Sequence, residues 1–238
     1  MRHLMVLVAL LCPHADCAPE SFIVDFTTGM GSFSVSVNRS WAPLGADHFY
    51  SLVEDGFYDD AAFFRVVPNF VVQFGIAGTP SNNVKWDTPI RDDPVKVSNR
   101  AGTLVYATSG PNSRTTQVFI NYVPNAGLDR QGFAPFGQID AAGLAIVEKV
   151  FNPTPASPQG VDQTQYKARG NAWIRQKYPG VTFITKATVR NLAPAKPLAP
   201  SAPPAPPSPP VSPPVPLSRM QARYEHLLFS SACTASGM

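Results

Sequence analysis

The strongest constraint on the fold of this chain is a series of short apolar runs, each of strand length and each followed by turn residues. The runs span residues 22–26, 33–37, 63–67, 70–74, 102–107, 117–121, 134–139 and 181–189. Turn clusters separate them, for example SGPN at residues 109–112. Many short strands with frequent turns are typical of a β-barrel or a β-sandwich. Strands and helices do not alternate along the chain, which excludes a Rossmann fold or a TIM barrel.

Three further segments have helical patterns, and we expect these helices to cover the ends of a barrel. They span residues 42–55, 141–151 and 162–178. In the first segment, Leu44, His48 and Leu52 share one helical face, which Phe49 and Val53 widen. Spacings of three and four residues are those of an amphipathic helix. We expect His48 to be an ordinary helix residue packed beside Phe49.

The first 17 residues have the organisation of a secretory signal peptide. Arg2 supplies a positive charge, residues 4–12 form an apolar run, and Ala15 and Cys17 place small residues before the cleavage point. The apolar run is far shorter than the roughly 20 residues that span a membrane. We therefore predict a secretory-pathway or extracellular protein without a membrane span; the lumen of an organelle is the alternative.

Proline is concentrated near the C-terminus. Twelve of the 26 prolines lie between Pro194 and Pro216, spaced mainly by Ala, Ser and Val. Such a segment favours polyproline II and cannot form a packed domain. The sequence thus predicts one globular domain over residues 18–192, a proline-rich linker over 193–216 and a disordered C-terminus over 217–238.

Composition and motifs argue against several kinds of chemistry. The formal net charge of +3 is too small to indicate nucleic-acid binding. The predicted domain has one histidine, His48, and no cysteine, so it lacks the ligands of a zinc site. The sequence has no phosphate-binding glycine loop and no nucleophile elbow. We therefore expect neither a metal nor an organic cofactor.

Two charged clusters are interpreted as solvated surface. Asp92 and Asp93 fall in a predicted loop, where we expect a solvated turn. Six basic residues and no acidic residue lie between positions 163 and 190. This pattern predicts a solvated helix face, and a docking face for an anionic partner is the alternative.

Three sequence blocks carry the most specific signal in the chain. They are FFRVVPNFVVQ at residues 63–73, GTLVYATSGPN with the following TTQVFIN over 102–121, and LDRQGFAPFG at 128–137. In this order and with this spacing, they closely resemble the cyclophilin family of peptidyl-prolyl cis/trans isomerases. The resemblance runs from about Phe22 to Val189 and includes GNAW at 170–173.

The resemblance implies a mainly β fold, a closed eight-stranded antiparallel barrel with capping helices and a shallow proline-binding pocket on its outer face. It places Arg65 at the family's catalytic position. The implied substrate-binding residues are Phe70, Val71, Gln73, Ala107, Thr108, Gln117, Phe119, Leu128 and Phe133. The implied partners are proline-containing peptides and unfolded protein clients, and we expect a monomer.

The resemblance also implies a role for each part of this site. The apolar residues take the proline ring, Gln73 holds Arg65 in place, and the backbone at Ala107 and Thr108 grips the substrate chain. A guanidinium that donates a hydrogen bond to the prolyl nitrogen favours the twisted peptide over either planar form. No bond is made or broken, so such an isomerase requires no nucleophile, metal or cofactor.

Two positions depart from the family's pattern. Gly127 stands where an aromatic residue usually precedes the Leu-Asp pair, and Phe133 stands where a histidine is common at the pocket rim. The missing bulk at Gly127 bears on substrate affinity and on cyclosporin binding. The change at Gly127 leaves one alternative, a weakly active or inactive module that binds proline peptides. The proline-rich tail leaves another, an extracellular protein that this tail anchors to a wall or matrix.

Overall fold

The structure, a computed structural model, describes residues 18–191. The predicted signal peptide (1–17), proline-rich linker (193–216) and C-terminal segment (217–238) lie outside the described residues. Between residues 18 and 191, no helix has the length and apolar character needed to cross a membrane.

Eight antiparallel strands form one curled sheet. The strands are β1 (Ser21–Thr28), β2 (Gly31–Asn38), β3 (Arg65–Val67), β4 (Val71–Phe74), β5 (Thr103–Tyr106), β6 (Val118–Asn121), β7 (Pro135–Ile139) and β8 (Ile184–Asn191). Their order in the sheet is β3-β4-β6-β5-β7-β2-β1-β8. The expected mainly β architecture of eight antiparallel strands is confirmed, and every predicted run overlaps one strand.

β3 and β8 are the two edges of this sheet, and the chain segments just before them meet. Ala62 and Phe183 form an isolated antiparallel bridge. The amide of Phe63 donates to the carbonyl oxygen of Thr182 over 2.9 Å. Within residues 18–191, β3 itself has a ladder partner only in β4.

Helices flank the sheet. They are α1 (Pro43–Glu54), α2 (Pro80–Lys85), a 3₁₀ helix (Ala126–Gln131), α3 (Ala141–Val147) and α4 (Gln163–Lys177). The side chains of Asp140 and Asp162 cap α3 and α4 by accepting from backbone amides of the first turn. α4 is interrupted at Gly170, whose φ of 65° is in the left-handed region. A Cβ there would lie 2.3 Å from the carbonyl oxygen of Gly78, so the helix can pass this point only with glycine.

Alternation along the strands directs one set of residues into an aromatic core. Phe22, Val24 and Phe26 of β1 are fully buried, whereas the residues between them are partly exposed. The ring of Phe26 stacks on Phe33 with the centroids 5.1 Å apart and meets the edge of Phe74 at 5.7 Å. Each such burial contributes roughly 1.5–3 kcal/mol. These side chains fill the inner face of the sheet.

Several sequence expectations differ from the structure. α2 was not predicted, because a six-residue helix is too short to show a period. The 3₁₀ helix lies between two predicted strand runs where no helix was expected, and α3 ends at Val147 rather than at residue 151. The prediction that Leu44 lies on the buried face of α1 is wrong, since it is 41% exposed. In this first turn the inward contact is made by the amide of Leu44, which donates to Asp93.

Candidate active site

Four neighbouring strands align a row of side chains on one face of the sheet. Arg65 of β3 is directly opposite Gln73 of β4. Gln73 is in turn opposite Phe119 of β6, which is opposite Val105 of β5. Opposite residues of an antiparallel pair lie on the same face. The adjacent row faces the core, as the burial of Val66 shows.

Two acceptors hold the guanidinium of Arg65. Its Nη1 donates to Oε1 of Gln73 over 3.0 Å, and its Nε donates to the carbonyl oxygen of Pro158 over 2.6 Å. Desolvation lowers the pKa of Arg65 below its usual value, but a guanidinium stays charged at neutral pH. Within residues 18–191 these bonds use two of the five N–H donors. The others can reach a ligand.

A chain of three glutamine amides continues from Arg65. Nε2 of Gln73 donates to Oε1 of Gln117 over 2.7 Å, and Nε2 of Gln117 donates to Oε1 of Gln163 over 3.1 Å. The nitrogen of Gln73 is engaged by Gln117, so its oxygen faces Arg65. Gln73 is also buried, with 6% of its surface exposed. The arginine therefore rests on a fixed acceptor.

An apolar cluster lies on the same face. Its buried members are Val71, Val105, Phe119 and Leu128, and its partly exposed members are Phe70, Ala107 and Phe133. The rings of Phe119 and Phe133 meet edge to face with their centroids 5.7 Å apart. This arrangement presents aromatic and aliphatic surface to solvent beside a charged donor, which suits a small apolar ring attached to a polar backbone.

Polar groups behind the cluster fix Phe133 at its rim. Nδ2 of Asn99 donates to the carbonyl oxygen of Phe133 over 2.9 Å and to Oδ1 of Asp129 over 2.7 Å. Desolvation acts to raise the pKa of Asp129, but hydrogen bonds from Ser98 and Asn99 outweigh it and lower the pKa below its ordinary value. The ionised carboxylate thus ties the 3₁₀ helix that carries Leu128 to the rim.

The loop between β5 and β6, residues 107–117, forms another wall of the site. The amide of Ala107 donates to the carbonyl oxygen of Gln117 over 2.9 Å. The hydroxyl of Thr108 bonds within the loop, to Gly110 and Ser113. Within residues 18–191 the backbone amide and carbonyl of Thr108 have no hydrogen-bond partner. They offer an unpaired edge to an extended peptide, beside a cavity of about 440 Å³.

Gly127 leaves open space next to this site. The residue is exposed at the beginning of the 3₁₀ helix and directly precedes Leu128. A Cβ placed on Gly127 would have no heavy atom within 4 Å. A larger side chain at position 127 would therefore have room beside Leu128, a member of the apolar cluster.

The structure brings all of the predicted site residues together on this face. It also adds partners that the sequence analysis missed, namely Asn99, Val105, Pro158 and Gln163. Strand alternation could have identified Val105, which is directly opposite Phe119. The others approach from loops and from α4, and they have no local pattern that points to the site.

The prediction that Asp92 and Asp93 form a solvated turn is wrong for Asp93. Its side chain is 1% exposed and lies 3.1 Å from Nη1 of Arg114. It also accepts hydrogen bonds from the first turn of α1. These donors lie far from Asp93 in sequence, so the local pattern of two adjacent acids gives no sign of them.

His48 lies on α1 as predicted, and its ring packs on Trp86 and Tyr106.

Comparisons with known proteins show the family of this chain. The family model "Cyclophilin type peptidyl-prolyl cis-trans isomerase/CLD" matches residues 23–168. A peptidyl-prolyl cis-trans isomerase of Acinetobacter baylyi is 34% identical over 147 residues, which cover 59% of this chain and 77% of that protein. Peptidyl-prolyl cis-trans isomerase-like 1 of Emericella nidulans is 35% identical over 133 residues, covering 53% and 80%.

Solved structures agree at the level of the fold. A cyclophilin-type peptidyl-prolyl cis-trans isomerase of Cryptosporidium parvum matches with a TM-score of 0.54 at 20% identity, over 73% of this chain and 99% of that one. The same protein solved in the presence of the dipeptide Ala-Pro matches with a TM-score of 0.53. The protein therefore has the cyclophilin fold. With the family model and the sequence relatives, the chain belongs to the cyclophilin-type peptidyl-prolyl cis-trans isomerases.

Proposed function

We propose that this protein catalyses rotation about X-Pro peptide bonds with Arg65 as its catalytic residue. The observation that carries this assignment is the guanidinium of Arg65, which Gln73 and Pro158 fix in place while N–H donors stay open beside the apolar cluster. Family membership supports the reaction, and the geometry supports the choice of residue.

The reaction is limited by peptide resonance, which sets a rotation barrier of roughly 18–20 kcal/mol. As the bond twists, conjugation is lost and a lone pair localises on the prolyl nitrogen. A hydrogen bond from Arg65 to that nitrogen is stronger in the twisted state than in either planar form. Such differential binding lowers the barrier, and each tenfold gain in rate corresponds to about 1.4 kcal/mol.

The other residues of the site hold the substrate around this donor. The proline ring packs on the apolar cluster at Phe119, Leu128 and Phe133, where water is excluded and the hydrogen bond to Arg65 is strengthened. The unpaired backbone of Thr108 pairs with the peptide chain on one side of the proline. One side of the X-Pro bond is thereby fixed while the other side turns.

The direct test replaces Arg65 in the full chain. We expect Arg65→Ala to lower kcat/KM by about tenfold or more on a synthetic X-Pro peptide, because the transition state loses its donor. Circular dichroism should show an unchanged fold, since Arg65 is at the outer surface of an edge strand. Arg169→Ala, which removes an exposed arginine on α4, is the matched control. Equal activity of Arg65→Ala and wild type would refute the assignment of Arg65.

The bridge between Ala62 and Phe183 supports a closed barrel rather than an open sheet. Hydrogen exchange tests this. If the barrel is closed, the amides of Phe63 and Ile184, which donate across this seam, should exchange as slowly as those of central strands. Exchange at the rate of free sheet edges would show an open sheet.

The organisation of residues 1–17 supports targeting to the secretory pathway, where the protein would act as a monomer on unfolded, proline-containing clients. Expression of the full chain in a secreting eukaryotic cell tests the targeting. We expect a secreted product whose N-terminus is residue 18, and deletion of residues 2–17 should retain the protein inside the cell. An uncleaved chain retained in the cytosol would contradict this localisation.

A further inference from the structure

A buried ion pair fastens the loop at residues 107–117 to the interior. Arg114 lies in this loop, yet its side chain is only 4% exposed. Its Nη1 lies 3.1 Å from Oδ2 of Asp93, whose side chain is 1% exposed. The nearby Pro111 and Asn112 are exposed. Arg114 thus points inward from a turn that otherwise faces solvent.

The rest of the Arg114 guanidinium also lies against polar and aromatic groups. Its Nη2 donates to the carbonyl oxygen of Arg91. Its Nε lies 3.2 Å from Oδ1 of Asp92, which is an ion-pair distance, but within residues 18–191 it makes no hydrogen bond. The guanidinium lies over the ring of Tyr106, 5.8 Å from the centroid. The amide of Ile90 donates to the carbonyl oxygen of Arg114 over 2.8 Å. The backbone and the side chain of Arg114 therefore bind the same segment, residues 90–93.

Asp93 carries the connection on to α1. Its carboxylate accepts hydrogen bonds from the amides of Leu44 at 3.0 Å and Gly45 at 2.8 Å, where the helix dipole favours a negative charge. A Cβ at Gly45 would lie 3.3 Å from Nη1 of Arg114 and 3.4 Å from Oδ2 of Asp93. Glycine therefore allows the ion pair to lie against the helix. α1 itself is anchored in the core through the fully buried Phe49.

His48 ties α1 to the next residue of the same loop. Its Nε2 lies 2.8 Å from the carbonyl oxygen of Thr115, and this nitrogen carries the hydrogen because a carbonyl can only accept. The ring also meets Trp86 edge to face, with centroids 5.5 Å apart. Arg114, through Asp93, and Thr115, through His48, are thus both connected to α1.

We propose that Arg114 and Asp93 are positioning residues that hold the 107–117 loop in the geometry that substrate binding requires. This inference rests on the proposed function. The loop carries the unpaired backbone of Thr108, and a substrate that pairs with it needs a fixed edge. The planar fork of Arg114 fixes its direction better than apolar packing would, since its partners lie on three sides.

The test uses the full chain and two variants. Arg114→Met removes the cation, and the double variant Arg114→Met/Asp93→Asn also removes the buried charge that the single variant leaves unpaired. In both variants, we expect KM for a synthetic X-Pro peptide to rise about fivefold or more and kcat to stay within about twofold of wild type. The reason is that the lost binding interaction stabilises the ground state and the transition state equally. The hydrogen-bonded amides of the loop, those of Ser109, Gly110 and Asn112, should exchange with solvent at least about tenfold faster.

The control is Val53→Ala, which removes buried volume from α1 without touching the loop. It should lower the melting temperature while KM and loop exchange stay at wild-type values. If the double variant folds with a wild-type KM and wild-type loop exchange, Arg114 and Asp93 have no positioning role. Hydrogen exchange measures the loop in the free protein, so it tests the fastening even if wild-type turnover contradicts the proposed function.

Discussion

Arg65 and Gln73 face each other in register across β3 and β4, and Nη1 of Arg65 donates to Oε1 of Gln73 over 3.0 Å. The pairing of two strands, rather than the shape of a flexible loop, therefore places the acceptor beside the guanidinium. The amide of Gln117 orients that acceptor in turn. The candidate catalytic group is thus built on rigid elements.

Gln73→Leu should reduce turnover without unfolding the protein. The change removes one of the two acceptors that hold Arg65, and a hydrogen bond to a charged group contributes roughly 1.5–3 kcal/mol. Because the carbonyl of Pro158 still holds Nε, we expect kcat to fall about tenfold. Peptide isomerase assays and thermal unfolding measure the two effects. Gln176→Leu, at an exposed position of α4, is the control. A wild-type kcat in Gln73→Leu would show that the acceptor does not position Arg65.

Arg65→Lys separates charge from geometry. A lysine keeps the positive charge but has no planar fork that could bond to Gln73 and Pro158 while also reaching the substrate. We therefore expect kcat/KM to stay about tenfold or more below wild type. Arg169→Lys serves as the control on the same assay. Full activity of Arg65→Lys would mean that a positive charge alone is sufficient.

Gly127→Trp should tighten substrate binding. A side chain at this position enters open space beside Leu128, and buried apolar surface contributes roughly 25 cal/mol per Å². We expect KM for proline peptides to fall about threefold or more and cyclosporin to bind more tightly than to wild type. Gly127→Ala adds little surface and should leave both constants near wild type. If KM and the affinity for cyclosporin were the same in wild type, Gly127→Trp and Gly127→Ala, position 127 would not border the binding surface.

Stability should depend on pH through His48. Burial is the main cause that lowers the pKa of His48 below its ordinary value. His48 therefore binds a proton more readily in the unfolded chain than in the folded protein. Its contribution to the free energy of unfolding is complete above about pH 6.5 and decreases as the pH falls below that value. His48→Gln keeps an N–H donor for Thr115 but does not titrate. Its melting temperature should fall less than that of wild type between about pH 7 and pH 5. If the melting temperatures of the two proteins fell equally with pH, His48 would not be the source of the pH dependence.

The sequence predicted the strands well because each strand is defined locally. Alternation at residues 22–26 and 33–37 requires only that one side of each strand faces the core, and β1 and β2 contain both runs. The bounds of α2 and of the 3₁₀ helix could not be predicted in this way. Elements of six residues are fixed by contacts with distant segments rather than by a period of their own.

The site was predictable only in part. Arg65 and Phe119 lie within distinctive blocks, so their positions could be inferred from a resemblance. Pro158 and Gln163 come from a stretch outside those blocks, and only folding brings them to β3 and to Gln117. Asp93 shows the same limit, because its burial depends on a cation from another loop.

Consecutive residues of β3 serve opposite sides of the sheet: Arg65 faces outward and Val66 faces the core. Substitutions at the partly exposed residues of the outer face, such as Arg65, can therefore alter what the site recognises while the packing of Val66 in the core is inherited unchanged. Descendants of such a scaffold can acquire new peptide preferences without first losing thermal stability.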